Sequence, residues 1–437
     1  MRILLVNPWI YDFAAYDLWS KPLGLIAVAS YLQQMDCQVI LVDCLDRFHP
    51  LMKDFSTKKS IYADGHYYYQ LVEKPECFYD IPRRYKRYGM PIEVFKSILD
   101  SISEVDLILV GSSLTYWYKG VFLAITLLKQ RYNNTPVILG GIYATLCYNH
   151  AKKHSRADFV FKGNNLTNLV KLINSIARNK ISVKKMYSAK DLYISAYNLY
   201  PHLEYVTLRT SNGCPFHCSY CGWYKLQSDF IQYDYRDVYN SIELFSKKHA
   251  IKNIAFYDDA LLYNSQKHFL KIFNLVVKNK LKCNFHTPNG LHCRYINRDV
   301  AFLMRQANFV RPRLGLETVD VEMQKSSGGK VTMMDFERAV KALNGAGYPL
   351  DEIGVNLLVG LPQQKFKDVY NSIIFLKKYG CRINLEEFSP VPGTPDFLKL
   401  PKKFREEPLN HNNTSFVLRH PEFKDKIQTL KDIIHQR

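Results

Sequence analysis

The feature that most constrains this chain is a regular exchange of short β-branched runs with amphipathic stretches, and it occurs twice. The runs Arg2 to Val6, Gln38 to Val42, Asp106 to Val110, Pro136 to Leu139 and Asp158 to Phe161 are separated by helical patterns such as Pro22 to Met35 and Gly120 to Tyr132. Strand and helix in alternation fold as a parallel sheet with helices on both faces, because a parallel pair needs a long crossover. A second series begins near Glu204 and runs through Ile251 to Tyr257, Lys282 to His286, Phe309 to Glu317, Ile353 to Val359 and Arg382 to Phe388. Six such units predict a partial parallel (β/α)6 barrel, whose chemistry belongs to the loops after the strands. The fold class expected is therefore α/β: a Rossmann-like, flavodoxin-like sheet at 1–180, a linker at 181–203, the barrel at 204–397 and a tail at 398–437. An insertion at about 47–91, rich in Tyr, Lys and Pro, interrupts the first domain without an assignable role.

Composition narrows the class. With 47% apolar and 23% charged residues the chain is not mostly disordered, and no apolar run approaches the ~20 residues that cross a bilayer. Only Ile3 to Val6 precedes Asn7-Pro8, too short for an export signal, so a cytoplasmic protein without a membrane partner is expected. The formal charge of +19 leaves nucleic acid open as a partner, alongside anionic lipid and acidic substrates. Its densest cluster, Arg83-Arg84-Tyr85-Lys86-Arg87-Tyr88, suits a phosphate backbone with stacked bases or, equally, a solvated surface. Of ten cysteines, seven are scattered singly at 37, 44, 77, 147, 283, 293 and 381.

The other three decide the chemistry. Directly after the strand Tyr205 to Arg209 comes Thr210-Ser211-Asn212-Gly213-Cys214-Pro215-Phe216-His217-Cys218-Ser219-Tyr220-Cys221-Gly222-Trp223. Thiolates spaced by three and then two residues, with Gly and Pro opposing regular helix, can wrap a loop around a 4Fe-4S cubane and ligate three of its irons. The fourth iron is left open to bind a substrate or cofactor. A zinc site would need a fourth ligand such as His217, and no second paired-cysteine knuckle is present to supply the usual set.

This loop at the end of the first barrel strand resembles the radical S-adenosylmethionine (SAM) superfamily. The resemblance implies that Cys214, Cys218 and Cys221 bind the cluster and that SAM chelates the open iron. It further implies reductive cleavage of SAM to a 5′-deoxyadenosyl radical that abstracts hydrogen from substrate, with Tyr220 and Gly222 beside the SAM. Later strand ends are similar to the family in the same order. Tyr257-Asp258-Asp259 resembles the acidic segment that receives the SAM ammonium, although Asp259 also suits a plain N-cap. Asn289 lies in Thr287-Pro288-Asn289-Gly290 at the barrel mouth. Arg313-Leu314-Gly315-Leu316-Glu317-Thr318 resembles the segment that reaches the SAM ribose and carboxylate, through Glu317 with Arg311 or Arg313. Gly360-Leu361-Pro362 resembles the turn that packs on adenine, and Pro392-Gly393-Thr394-Pro395 the closing segment.

The first domain resembles the cobalamin-binding domain that precedes the radical barrel in one subfamily. Ser112-Ser113-Leu114 and Gly140-Gly141 match two of its landmarks, and the implied cofactor-binding residues are Ser112, Leu114, Gly140 and Gly141. The first landmark, a histidine loop after the first strand, is replaced by Asn7-Pro8-Trp9-Ile10-Tyr11-Asp12-Phe13. Thr115-Tyr116-Trp117-Tyr118 is either aromatic cover for a macrocycle or core. The expected function is hydrogen abstraction from an unknown small-molecule or peptide substrate, served by an electron donor such as flavodoxin or ferredoxin, with cobalamin-dependent methyl transfer to carbon. The readings left beside it are radical cyclisation, rearrangement or oxidation without cobalamin, tRNA modification, and a binding module with a structural cluster. Cys283, His286, His292 and Cys293, near a strand end, are candidate proton donors or ordinary core residues.

Overall fold

Five strands with continuous apolar runs build the first sheet: β1 (Arg2–Asn7), β2 (Gln38–Asp43), β3 (Leu107–Val110), β4 (Val137–Leu139) and β5 (Phe159–Val160). A computed structural model describes residues 1–177, 180–182, 195–227 and 229–436, and divides them into two units, Met1–Glu204 and Tyr205–Arg437. In the first unit the strands are all parallel in the order β5-β4-β3-β1-β2. In chain order this is 2-1-3-4-5, the doubly wound arrangement whose ligand crevice opens where β1 and β3 part. Ile3, Leu4, Leu5 and Val6 are fully buried because helices cover both faces. The crossovers are α1 (Leu23–Gln34), α2 (Ile92–Ser101) and α3 (Tyr118–Arg131). Gly120 lies within α3, where glycine is normally unfavourable; a Cβ there would overlap the Trp9 carbonyl, so the glycine lets α3 cross the chain leaving β1.

The insertion is not a separate lobe. Lys86–Tyr88 pairs antiparallel with both Ile10–Asp12 and Tyr69–Leu71, and Gly65–His66 pairs with Tyr16–Asp17. This corrects the reading of Arg83 to Tyr88 as a surface of stacking aromatic residues: Tyr85, Arg87 and Tyr88 are buried, with Tyr85 edge-on against Phe13 at 5.2 Å, while Arg84 stays exposed and Arg83 and Lys86 half-buried. Thr115, Tyr116 and Tyr118 are likewise core, while the Trp117 indole donates to Asp12 at 2.8 Å. The expected linker is also corrected where it is described. Residues 195–203 close over β1 and β2: the Tyr200 hydroxyl donates to Asp43 at 2.8 Å, Asn7 donates to the same carboxylate at 2.7 Å, and the Lys21 ammonium sits 4.0 Å above the Tyr200 ring. The part of that linker at 183–194 lies outside the described residues.

In the second unit seven strands run parallel, and Ser211–Asn212 pairs antiparallel with the returning strand Ile231–Gln232. β6 (Tyr205–Leu208), β7 (Asn253–Phe256) and β8 (Asn284–His286) pair in order, followed by β9 (Leu291–His292), β10 (Arg313–Glu317), β11 (Gly354–Val359) and β12 (Arg382–Glu387). A Phe285–Phe309 bridge joins the two groups. The third expected strand, Lys282 to His286, is β8, and β9 is a further short strand after the turn Thr287-Pro288-Asn289-Gly290. Helices α4 (Tyr235–Glu243), α5 (Phe269–Lys278), α6 (Arg298–Gln306), α7 (Met333–Gly345) and α8 (Phe366–Tyr379) return the chain. Phe256, Phe269, Phe273, Phe285 and Phe309 fill the space beneath β7 and β8, Phe273 and Phe309 at 4.8 Å between centroids. The segment after 398 packs on the barrel strands' apolar cluster. Leu400 and Phe416 join Leu361, Phe388 and Phe397 in one cluster, and Lys431 of α9 (Ile427–His435) pairs with Glu387 at 2.7 Å. Among the described residues no helix is long and apolar enough to cross a membrane.

Replacing Gly120 with alanine forces α3 away from Trp9. The expected loss is about 1–3 kcal/mol, read as a lower denaturant midpoint by tryptophan fluorescence, with the second unit unaffected in limited proteolysis.

Candidate cofactor site

The cysteine loop is fixed at its root by one carboxylate. Asp258, two residues beyond β7, is buried and accepts the Thr210 N–H at 3.0 Å, the Thr210 hydroxyl at 2.9 Å and the Ser211 hydroxyl at 2.6 Å. Burial raises its pKa, and these bonds pull against that. The chain then turns at Gly213, at φ +85°, where a Cβ would overlap the Asp229 carbonyl of the returning strand. The remaining sides are closed by two other strand ends. Ser219 N–H donates to the Ser327 carbonyl at 3.1 Å, and Gly328, at φ +118°, lies behind the Cys218 backbone. From the segment after β12, Asp396 accepts the Ser219 hydroxyl at 2.6 Å and returns its own N–H to the Ser219 carbonyl at 3.1 Å. Gly222 is needed because a Cβ would overlap Val391 there.

The three thiols share one electrostatic neighbourhood. Burial pushes Cys214 up to about 12, with the charges of Asp259, Cys221 and Cys218 adding to it; burial raises Cys218 and Cys221 as well. Without a cation the loop holds three neutral thiols, so a positively charged centre supplies what three thiolates lack. Among the described residues no three Cys, His, Asp or Glu groups converge where a single ion would be held. His217, the ligand a zinc reading would recruit, is exposed and packs on Tyr224 at 5.4 Å.

Among the described residues, four buried polar atoms around the loop have no partner: Arg209 Nε, Trp223 Nε1, Thr287 Oγ1 and His292 Nδ1. Leaving such groups unsatisfied is costly, and their gathering at the strand ends fits a polar ligand there. His292 stacks on Phe216 of the loop at 4.5 Å, and burial lowers its pKa to about 3, so it is neutral. The other proton-donor candidates are satisfied core groups. The Cys283 thiol donates to the Ile251 carbonyl at 3.3 Å, Cys293 to the Gly315 carbonyl at 3.7 Å, and His286 bonds Asn253 at 3.1 Å.

The paired acids have parted roles. Asp258 is consumed by Thr210 and Ser211, which takes it from the ligand-facing set, whereas the Asp259 carbonyl accepts the Cys214 thiol at 4.0 Å but its carboxylate accepts no hydrogen bond from another of the described residues, and burial raises that carboxyl to about 7. Asn289 donates to the Asp258 carbonyl at 3.3 Å. Glu317 ends β10 in a left-handed conformation, at φ +69°, and is held by Lys330 at 2.5 Å, with both side chains nearly buried. Tyr220 packs on the Leu361–Phe388 cluster with its hydroxyl beside Cys218 and Lys330. Gly360, at φ +96°, and Leu361 donate their N–H groups to Gln364, which fixes that turn. Arg313 is not at this end: it opens β10, four residues and about 13 Å along the strand from Glu317. Sequence reasoning missed Lys330 and Arg209; the only sequence sign of the former is its glycine pair, Gly328-Gly329.

In the first unit Ser112, Gly140 and Gly141 come together. The Ser112 hydroxyl donates to the Gly140 carbonyl at 2.6 Å and accepts the Ala144 N–H at 3.2 Å, and a Cβ on Gly141, at φ +98°, would overlap Ser112. Gly140 faces open space and Leu114 is 38% exposed, an apolar and backbone rim at the carboxyl end of β3 and β4.

Residues 208–376 match the model of the radical SAM superfamily. They are a radical SAM domain. The whole chain is similar in fold to the radical SAM methyltransferase TsrM of Kitasatospora setae, solved with tryptophan and a SAM analogue: TM-score 0.68, 13% identity, covering 99% of this chain and 88% of that one. It is also similar to OxsB, a cobalamin-dependent SAM radical enzyme solved with aqua-cobalamin and SAM, at TM-score 0.56 and 13% identity, covering 99% of this chain and 56% of that one. An uncharacterized methyltransferase of Pyrococcus horikoshii is 24% identical over 257 residues, 54% of this chain and 53% of that protein. The match thus spans about half the length of that curated relative. Within the radical SAM domain, Lys330→Met should cost about 3–5 kcal/mol in denaturant unfolding, because it strands the Glu317 charge; adding Glu317→Leu should recover most of the loss.

Proposed function

We propose that this chain is a radical SAM enzyme that transfers a methyl group to an unactivated carbon with the help of cobalamin. The observation that carries the class is the cysteine loop, pinned by Asp258 at the head of a parallel strand array and ringed by unpartnered polar atoms. Cys214, Cys218 and Cys221 would hold a 4Fe-4S cluster, and Asp259 would take the ammonium of SAM, being the acid left without a partner. When bound, the reduced cluster with SAM supplies a 5′-deoxyadenosyl radical and cobalamin supplies a methyl carrier. The chain's own part is placement. Thr210, Ser211 and Asp258 keep the loop from shifting, Lys330 holds Glu317 at the strand end, and the apolar cluster around Tyr220 and Leu361 keeps water from the adenine side. Ser112, Leu114, Gly140 and Gly141 would seat the corrin through backbone and apolar contact. Substrate and electron donor are an unassigned small molecule or peptide and a small redox protein such as flavodoxin or ferredoxin.

One observation favours a radical reaction without methyl transfer: the loop after β1 has no histidine, and Asn7 is bonded to Asp43. Anaerobic reconstitution with iron, sulfide and cobalamin separates the two. The wild type is expected to hold iron and corrinoid and to release 5′-deoxyadenosine with dithionite and SAM. Cys218→Ala should lose at least 100-fold in deoxyadenosine, about 2.7 kcal/mol of barrier or more. Deoxyadenosine formed without retained corrinoid would select the second reading, and unchanged release by the variant would remove the cluster assignment.

A further inference from the structure

The second unit carries a cluster of basic groups away from the cysteine loop that the proposed chemistry does not use. β10, β11 and β12 pair with Arg313 opposite Gly354 and Gly354 opposite Arg382, then Gly315 opposite Asn356 and Asn356 opposite Asn384. Val355, Leu357 and Val359 are fully buried, so alternation turns Gly354, Asn356 and Leu358 to the other face. The space above Gly354 is shared by that face's side chains: a Cβ there would meet the Asn384 amide at 3.0 Å, an Arg382 guanidinium nitrogen at 3.1 Å and Arg313 Cγ at 3.4 Å. Asn384 donates to Asn356 at 2.9 Å, which orders the two amides.

Among the described residues neither guanidinium has a hydrogen bond or ion pair, and Arg382 Nε is buried with no partner. Burial and the charges of Arg313 and Arg311 depress Arg382, and the carboxylates of Glu352 and Asp351, which act the other way, offset this only in part and make no ion pair with it among the described residues. All four side chains, Arg313, Arg382, Asn356 and Asn384, are partly solvent-accessible, so the recess is open. Glu386, two residues beyond Asn384 on the same face, lies within electrostatic reach of Arg313 and Glu317, linking the recess to the cysteine end of the strands. Paired, partly desolvated guanidiniums over a glycine floor form the fork that binds a carboxylate or phosphate through two parallel hydrogen bonds.

We infer that Arg313 and Arg382, over Gly354 and beside the Asn356–Asn384 pair, bind an oxyanion, carboxylate or phosphate, carried by the substrate. The inference rests on the radical SAM reading and adds the substrate's chemical class. The anion would be held at the amino-terminal ends of β10 and β12, about one strand length, 13 Å, from Glu317, so the ligand's reactive carbon lies on the side toward the cysteine loop. SAM is placed at the opposite ends of the same strands and is not the occupant.

The test is thermal melting of the full-length protein with sodium succinate, with inorganic phosphate, and with sodium chloride at matched ionic strength. One oxyanion should raise the melting temperature by about 2 °C or more above chloride, and R313Q and R382Q should each lose most of that rise. Which anion acts assigns the source as carboxylate or phosphate. Removing one of these neighbouring like charges should leave the unliganded melting temperature unchanged or higher, which checks the fold of the variants. No rise over chloride in the wild type, or the same rise in both variants, overturns the inference. The readout needs neither iron nor turnover, so failure of deoxyadenosine formation with an intact anion response would count against the function and spare this site, and the reverse result would do the opposite.

Discussion

The carboxylate of Asp258 is the constraint on which the rest of the site depends. A loop rich in Gly, Pro and Cys has no regular structure of its own, and its backbone has few hydrogen bonds to hold it. Three donors from Thr210 and Ser211 converge on one buried acid brought from the next strand, so the direction in which the chain leaves β6 is set before the first cysteine. Segments after β10 and β12 then close against Ser219 and Cys218. The loop is positioned by neighbours that are distant in sequence and adjacent in the sheet.

Much of this was legible in the chain because it is local. Apolar runs alternating with helical pattern gave the six barrel strands to within a few residues, and the spacing of Cys214, Cys218 and Cys221 carries its chemistry in eight consecutive positions. Groups whose role comes from tertiary closeness were not legible. Lys330 is thirteen residues from Glu317 and no periodicity links them, and Arg382 reads as an ordinary strand-start residue until Gly354 brings it beside Arg313. Asp258 and Asp259 look alike in sequence; only the hydroxyls of Thr210 and Ser211 tell them apart.

The misread segments share a cause. Arg83 to Tyr88 is basic and aromatic, and composition alone suggests a surface, but a three-residue strand paired on both sides buries its aromatic residues whatever its charge. The segment after 398 reads as a tail, and its residues Leu400 and Phe416 complete the apolar cluster with Leu361 and Phe388. In both cases short elements acquire stability from a neighbour's exposed face, which single-chain patterning does not reveal.

The small antiparallel sheet formed by Ile10–Asp12, Tyr69–Leu71 and Lys86–Tyr88 also has a geometric result for the first unit. Grown from the loops after β1 and β2, it also reaches the segment after β3, where the Trp117 indole donates to Asp12 and packs beside Ile10, Tyr67 and Tyr88. The turn leaving β3 is thereby tied to the insertion, so neither can shift without carrying the other.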